Sequence, residues 1–368
     1  MKTLEKDGLF YEIAENETER FAFITGCNSL SEKIIIPSHV DDIPVKSIDW
    51  GAFKDVSSVK EIVIEEGIEK IEYGAFQKCT SLQSVHLPKS LKIIRSHAFE
   101  GCVELKNVVA QEGLEIIGDC AFRNCSMTEF NFPESLQTIG ERAFNSVPLQ
   151  NISFGKNLIR ICDSAFRNCH SLSSVSFSEG LQETGDFVFE NCINLQELSF
   201  PDSLGLLGYG VIDGCNKLHS VYIGKNTNIS HIEEDFGYNC LSLKKITVAP
   251  GNEYLKTIDG VLYDLDTKTL VKVPCSLENF RISIPSWVEK LAFASFEDIQ
   301  NVKNIKFNRD SILGLEDSHI STIKNVLILC PIDSEIYNFA KEAKLDVGSR
   351  KSQLSSFLDD NTENEKDK

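Results

Sequence analysis

The sequence predicts a repeat solenoid that is mainly β, because one residue pattern returns along most of the chain. A phenylalanine recurs at intervals of 22 or 23 residues, and the last interval, of 47 residues, is two periods long. Self-similarity at such a period is typical of stacked repeats. The recurring residues are Phe53, Phe76, Phe99, Phe122, Phe144, Phe166, Phe189 and Phe236.

The residues around each phenylalanine recur with it. Aligned on Phe76, the unit reads IxxxAFxxCxxLxxVxLPxxLxxI. The alternation of Val85 and Leu87 has a period of two, which is typical of a short strand with one buried face. Stacked copies of this strand should pair in parallel and form one sheet along the solenoid. The LxxI segment should form a second short strand or a turn on another wall.

The 12 cysteines fit the repeat better than they fit a disulfide framework. Seven of them follow the phenylalanine, or the Ile212 that replaces it, by three or four residues. Stacking places such thiols in a ladder rather than in a tetrahedral cage, so we expect buried, reduced thiols and no metal site. Cys120 and Cys162 lie off this column. The column consists of Cys79, Cys102, Cys125, Cys169, Cys192, Cys215 and Cys240.

The chain divides into an array, two caps, an insertion and a tail. Caps are expected because the terminal coils of a solenoid would otherwise expose apolar faces. The insertion is expected because Phe236 and Phe296 lie 60 residues apart, more than two periods. The segments are an N-terminal capping hairpin (1–30, with a polar turn at 16–19), leucine-rich repeats of 22–24 residues (31–248), an inserted β-hairpin (249–280), resumed repeats (281–331), a C-terminal helical cap (332–348) and a disordered acidic tail (349–368).

The array resembles the BspA-like leucine-rich repeats, also called the Treponema pallidum type. The resemblance covers roughly residues 34–307. It rests on the opening segment 36–48 followed by Gly51-Ala52-Phe53, and on the hairpin-like segment from Asp259 to Tyr263. It implies a right-handed solenoid with a role in adhesion or protein binding, and no shared catalytic residues. The sequence lacks the export signal and wall anchor of many surface members.

Composition disfavours several partners. A net charge of −18 is unsuited to nucleic acid or to an anionic membrane, both of which need clustered Lys and Arg, whereas a basic stretch on a partner would fit. The first residues form no apolar signal segment, and no run of 18 apolar residues occurs. We therefore expect no membrane insertion and a cytoplasmic protein, with surface display or secretion by a non-classical route left open. The sequence does not indicate an oligomeric state.

No catalytic signature stands out. The seven histidines are scattered, and acidic groups such as Glu65-Glu66 are typical of solvated charge. We predict no enzyme, no catalytic residue, no cofactor and no metal. A rival hypothesis is a hydrolase in which the hairpin near Tyr263 covers a carboxylate-bearing cleft, with the turn 264–268 exposed at its tip. A third is a structural spacer in a larger assembly.

The outward positions of the predicted strands are the candidate binding site. Stacking aligns them in columns, and they are rich in small hydroxyl and amide groups. Extended faces of this kind are what solenoids typically use, so we predict a protein or glycan ligand there, the alternative being a merely solvated sheet. The candidates are Ser84, His86, Asn107, Glu129, Asn131, Asn151, Ser153, Ser174, Ser176, Glu197, Ser199, Ser220, Tyr222 and Lys245.

Overall fold

The computed structural model describes residues 2–15, 19–28, 31–231, 236–323 and 325–349. Over these residues the chain forms a solenoid of short strands with one α-helix near its C-terminal end. The predicted fold class is confirmed. The predicted turn around Glu17 and the predicted tail beyond Ser349 lie outside the described residues.

The N-terminal cap contains one strand more than the sequence predicted. Strands β1 (Lys2–Lys6), β2 (Leu9–Glu15) and β3 (Arg20–Cys27) are antiparallel, and β1 forms the outer edge. Strands β4 (Lys33–Ile36), β5 (His39–Val40) and β6 (Ile43–Ile48) follow. The charged side chains of β1 are exposed, which protects this free edge from pairing with another chain.

The coils of the array contribute strands to two walls. The first strand wall is formed by the segments that contain the Val-x-Leu pattern, and the second strand wall by the two-residue LxxI segments. In chain order the strands are β7 (Glu61–Ile64), β8 (Lys70–Ile71), β9 (Ser84–His86), β10 (Ile93–Ile94), β11 (Asn107–Val109), β12 (Ile116–Ile117), β13 (Thr138–Ile139), β14 (Asn151–Ser153), β15 (Arg160–Ile161), β16 (Ser174–Ser176), β17 (Glu183–Thr184), β18 (Glu197–Ser199), β19 (Leu206–Leu207), β20 (Ser220–Ile223), β21 (Asn228–Ile229) and β22 (Lys245–Val248).

The parallel sheet that runs unbroken through the array is the second strand wall. It continues from β3 through β6 and β8 to β21. The first strand wall is divided into three sheets, β4-β7-β9-β11, β14-β16 and β18-β20-β22. The sequence predicted the main sheet on the first wall and only a second strand or a turn on the other. The structure shows the reverse, because the second wall is continuous and the first is interrupted.

One break in the first wall removes a predicted strand. Glu129 and Asn131 are exposed on either side of buried Phe130, as expected, but the segment forms no strand. Phe130 and Phe132 take the inward positions that Val and Leu hold in the repeat of Phe76, and both rings contact Phe144, at 5.2 and 5.3 Å between centroids. We attribute the loss of the ladder to the bulk of two adjacent aromatic rings.

The recurring phenylalanines stack through the centre of the solenoid. Consecutive rings from Phe53 to Phe189 lie 4.9 to 5.7 Å apart and are nearly parallel, with interplanar angles of 2 to 20°. The turn that carries each ring, here called the Ala-Phe turn, is bonded to the next one. Phe76 N, for example, donates to Ala98 O at 2.8 Å. A small Ala precedes the ring in six of these seven turns, which allows the turns to pack closely.

The cysteine column has a specific role in this packing. Each thiol donates to the backbone carbonyl of a preceding Ala-Phe turn, from Cys79 to Phe53 O at 3.0 Å through Cys192 to Phe166 O at 3.3 Å. A thiol is a small hydrophobic group with a weak donor, so it fills the core and also satisfies a buried carbonyl oxygen. The seven cysteines of the column are buried and form no disulfide with one another, as predicted.

Alkylation of the native protein should distinguish the buried thiols of the column from the half-buried thiol of Cys162. Cys102 and Cys192 are fully buried, and burial raises the pKa of both thiols, so a thiol-directed alkylating reagent should modify them slowly. Half-buried Cys162 is the internal control and should react faster. Mass spectrometry after timed alkylation measures both rates. Equal rates, or disulfides within the column, would contradict this packing.

The inserted segment is a three-stranded antiparallel unit that rejoins the array. Strands β23 (Leu255–Ile258), β24 (Val261–Asp264) and β25 (Thr269–Lys272) are followed by β26 (Arg281–Ile284), β27 (Lys290–Leu291) and β28 (Asn304–Phe307). Strand β25 pairs in parallel with β27 and so continues as part of the coils that follow. β24 and β25 are buried along their whole length, so the insertion belongs to the core.

The tip of this insertion differs from the prediction at Asp264. We expected an exposed turn, but Asp264 is only 2% exposed, and its Oδ1 accepts from the N–H and the hydroxyl of Thr267, each at 2.6 Å. This aspartate caps the turn. Asp266 and Lys268 are exposed, and Lys268 Nζ lies 2.9 Å from Glu289 Oε1.

The C-terminal cap closes the solenoid with one helix. A 3₁₀ turn (Ile320–Thr322) leads to β29 (Leu327–Cys330), α1 (Glu335–Glu342) and β30 (Asp346–Ser349), and the last sheet has the order β26-β28-β29-β30. The N-cap of α1 is Ser334, whose hydroxyl accepts from Tyr337 N at 3.1 Å.

Candidate binding face of the first strand wall

The outward positions of the first strand wall carry the predicted site residues in ordered columns. Along β14 and β16 the exposed residues alternate with inward Ile152 and Val175. Parallel pairing sets Asn151 beside Ser174 and Ser153 beside Ser176. We call the outward side chains of this wall the strand face.

Hydrogen bonds connect neighbours within these columns. Ser174 Oγ donates to Asn151 Oδ1 at 2.6 Å, and the hydroxyl of Ser176 donates to that of Ser153 at 3.0 Å. These polar groups already have partners within the protein. They are therefore held in fixed positions, which lowers the entropy cost of using them to bind a ligand.

A second group of columns lies on the next sheet. Glu197 is paired with Ser220, and Ser199 with Tyr222, while Lys245 extends the first of these columns. His219 is not among the predicted site residues, and its Nε2 lies 3.1 Å from Glu197 Oε1.

At the N-terminal end of the face, Ser84 and Asn107 form one pair. His86 stands beside Val109, which is 47% exposed.

A groove opens where two of these sheets meet. Strands β16 and β18 are successive in the first wall but are not hydrogen-bonded to each other, within a part of the chain (31–231) that is described throughout. The groove has a volume of about 360 Å³. It brings together three predicted residues, Ser176, Ser199 and Tyr222. Its lining is completed by Val175, Phe177, Glu179, Phe200, Pro201 and Asp202.

The groove combines an apolar floor with a polar rim. Val175 and Phe177 are partly exposed there, unlike the fully buried Val85 and Leu87 of the repeat on Phe76. Two carboxylates at the rim already accept backbone N–H groups: Glu179 from Asp202 and Ser203, and Asp202 from Lys225. Because they cap the next coil, these acids have a structural role that a catalytic acid or base would not need.

Tyr263 of the inserted segment, near which the enzymatic hypothesis places a cleft, is itself enclosed. This tyrosine is 1% exposed, its ring meets Trp287 edge-on at 5.5 Å, and burial raises the pKa of its hydroxyl above the usual value. A side chain so enclosed cannot reach a substrate in this conformation. The groups near it serve the core.

Sequence reasoning missed a buried charge cluster at the junction of the insertion and the array. Lys272 is fully buried, with Nζ 3.3 Å from Ala294 O and 3.9 Å from Glu297 Oε2. Asp213 is also buried and accepts from Tyr238 N at 2.9 Å, and burial raises the pKa of its carboxyl to about 6 although Lys272 opposes the shift. Because these positions are distant in sequence, no local pattern indicates the cluster.

Two further surface features were also missed. A groove of about 640 Å³ lies between α1 and residues 312–317 and is lined by the acidic residues Glu316, Asp317, Glu335 and Glu342.

The second feature is a pair of exposed aromatic rings on the Ala-Phe turns. Trp50 and Tyr73 are 68% and 44% exposed, and the centroid of the Tyr73 ring lies 4.9 Å from that of His97. An alignment of the coils on their phenylalanines would have placed Trp50 and Tyr73 in one column.

A comparison with the profiles of protein families identifies the family of this chain. The profile of the BspA type Leucine rich repeat region matches residues 16–148 and 137–258, with six copies. These ranges span more than half of the chain. The chain belongs to the BspA-type leucine-rich repeat family. No curated protein matches the sequence.

Several solved structures of leucine-rich repeat proteins are similar to this BspA-type chain. A leucine-rich repeat protein from Bacteroides ovatus ATCC 8483 is 23% identical, over 94% of this chain and 99% of that chain, with a TM-score of 0.59. A leucine-rich cell surface protein from Faecalibacterium prausnitzii A2-165 is 19% identical over 85% and 72% (TM-score 0.49), and the T. pallidum leucine-rich repeat protein is 28% identical over 59% and 91% (TM-score 0.44). Among the described residues, no helix is both long and apolar enough to span a bilayer.

Proposed function

We propose that this BspA-type protein is a non-enzymatic, adhesin-like scaffold that binds a protein or glycan ligand through the strand face. The observation that carries the proposal is the groove at β16 and β18, where Ser176, Ser199 and Tyr222 meet. Repeat proteins of this type typically use such extended faces for binding. The acids nearest to the groove are engaged with backbone amides, which supports binding rather than catalysis.

The chemistry of the groove suits a ligand with both apolar and hydrogen-bonding groups. Ser176 and Ser199 offer hydroxyls that both donate and accept. Tyr222 adds an aromatic ring with a polar end, a combination that is enriched at binding interfaces. Partly exposed Val175 and Phe177 give an apolar floor that a ligand would cover.

The charge of the chain supports a ligand with a basic segment. At −18, the net charge attracts cationic partners and speeds their encounter, and the effect weakens as salt screens it. Groups on the face itself are mostly neutral. Charge should therefore affect the association rate more than the contacts within the groove.

Blocking the groove should abolish ligand capture without unfolding the protein. In the double variant Ser176→Arg, Ser199→Arg, both changed side chains are exposed, so the fold should be kept while two long side chains fill the groove. The ligand is first isolated by screening the wild-type protein against a glycan array and a panel of surface proteins. Its dissociation constant for the double variant should rise about tenfold or more, which is at least ~1.4 kcal/mol.

The matched control is Leu206→Arg on β19. Leu206 is 39% exposed on the second strand wall of the same coil as Ser199, so this variant adds an arginine without touching the groove. It should bind like the wild type. Wild-type affinity in the double variant would exclude the strand face at the groove. Absence of any ligand, together with end-to-end association in solution scattering, would favour a structural spacer.

A further inference from the structure

The Ala-Phe turns of two successive coils bring three potential metal ligands together. One ring nitrogen of His97, one carboxylate oxygen of Glu100 and Cys120 Sγ all lie within 4.8 Å of one another, and His97 Nδ1 is 2.7 Å from Glu100 Oε2. The side chains of His97 and Glu100 are 27% and 19% exposed, and Cys120 is 7% exposed. The cluster therefore lies just below the surface, with one side open to solvent.

The repeat itself explains why these residues meet. His97 and Cys120 occupy the same place in consecutive coils, two residues before Phe99 and Phe122, and Glu100 directly follows Phe99. Stacking places equivalent positions side by side, as the bond from Cys120 N to Glu141 O and the bond from His97 N to Asp119 O illustrate. The two donors 23 residues apart are thus adjacent in space.

The backbone at this place is unusual, but it does not by itself mark a site. Gly51 and Gly74 fill it in the first coils with φ near +60°, and His97 (+61°) and Cys120 (+54°) keep that left-handed conformation. A side chain there costs of order 1–2 kcal/mol. Arg142 and Ser164 follow in later coils with the same sign of φ. What distinguishes His97 and Cys120 is that their donor atoms converge with that of Glu100.

We propose that His97, Glu100 and Cys120 form a zinc-binding site with one open coordination position. Imidazole nitrogen, carboxylate oxygen and thiolate sulfur are the donor types that Zn²⁺ uses, and three protein ligands plus water is the usual form of an open site. Bond lengths of about 2.0 to 2.3 Å place tetrahedral donors roughly 3.3 to 3.8 Å apart. The His97–Glu100 pair must open by roughly 0.6 to 0.8 Å, and Cys120 must approach, which requires side-chain rotation.

The surroundings both support and oppose such a site. Gln77 Nε2 donates to Glu100 Oε2 at 2.7 Å and orients the carboxylate, as groups around metal ligands commonly do. Arg123, 3.6 Å from Glu100 Oε1, adds a positive charge that competes with the cation for this carboxylate. The competition predicts moderate rather than very tight affinity. The proposal is independent of ligand binding by the strand face, since the cluster lies on another side of the coil.

Titration of the full-length, reduced protein with Co²⁺ tests the site directly. Cobalt replaces zinc and reports thiolate ligation by a charge-transfer absorption in the near ultraviolet. The wild type should show this band, and one equivalent of Zn²⁺ should abolish it. Cys120→Ser should remove the band. Glu100→Gln should keep it and weaken cobalt affinity about tenfold or more, in line with the loss of one ligand.

Cys162→Ser is the matched control, because Cys162 is a half-buried thiol that lies outside the cluster. It should retain the full cobalt band. If Cys120→Ser does not fold, His97→Gln provides the same test, with loss or strong weakening of the band expected. A wild-type protein without the band, or a band that persists in a folded Cys120→Ser protein, would overturn the proposal and leave His97 and Glu100 as a structural ion pair.

Discussion

Replacing Phe122 by alanine is expected to destabilise the protein by about 3 to 5 kcal/mol. The ring is fully buried, and its centroid lies 5.2 Å from that of Phe99 and 5.3 Å from that of Phe144. Its loss leaves a cavity in the middle of the stack, where bonds on the second strand wall and between the Ala-Phe turns limit collapse. Chemical denaturation, with hydrogen exchange to locate the weakened coils, measures the effect.

The control for this prediction is the same change at an exposed ring. Phe280 is 56% exposed, and its identified ring contact is with Lys303 Nζ, 5.5 Å from the ring centroid, so Phe280→Ala should cost less than about 1 kcal/mol. Because a solenoid can unfold in parts, faster exchange should begin in the coils around Phe122 and spread to their neighbours. Equal losses in the two variants would contradict the role assigned to the stack.

Replacing Lys272 by methionine is expected to destabilise the protein by about 3 to 5 kcal/mol at neutral pH. Methionine retains most of the side-chain volume but removes the charge beside Glu297 and Asp213. Both carboxylates then remain buried without a cationic partner. Thermal or denaturant unfolding measures the change, and we expect the junction between the array and the insertion to open first.

A double-mutant cycle separates the charge effect from packing. Glu297→Gln alone should destabilise the protein, because it removes one of the two carboxylates beside Lys272. In the Lys272→Met background the same change should restore about 1 kcal/mol or more, because it removes a buried unpaired charge. Strictly additive effects would show that the 3.9 Å separation of Lys272 and Glu297 carries no interaction.

The sequence predicts the coils well because each recurring residue of the repeat has a defined place in the packing. A phenylalanine every 22 or 23 residues, in most coils with Ala directly before it and Cys three residues after it, requires stacked turns in which these residues meet their equivalents. The structure confirms this for the rings of Phe53 to Phe189 and for the thiols that donate to the phenylalanine carbonyls. Inward and outward strand positions follow from the same alternation.

What the sequence does not predict depends on how coils deviate from one another. Val175 and Phe177 fit the repeat pattern as well as Leu198 and Phe200 do, yet their strands do not pair and a groove opens between them. Lys272 lies in a segment that the sequence correctly predicts as a strand, but its burial depends on carboxylates from remote coils. Asp264 was expected in an exposed turn because polar turns are usually solvated.

The His97, Glu100 and Cys120 cluster was available to sequence analysis in part. Aligning the coils on their phenylalanines puts His97 and Cys120 in one column, where earlier coils have glycine. The distances that make the cluster a candidate zinc site come only from the structure. The same holds for the strand face, where the columns follow from the pattern and the groove does not.

The footprint of an isolated ligand on the protein tests the central claim most directly. Hydrogen–deuterium exchange, measured with and without saturating ligand, should show slower exchange in β16, β18 and β20, which border the groove. Peptides from β17, β19 and β21 on the second strand wall should be unchanged. Protection confined to the second strand wall, to the Ala-Phe turns or to the acidic groove beside α1 would contradict binding through the strand face.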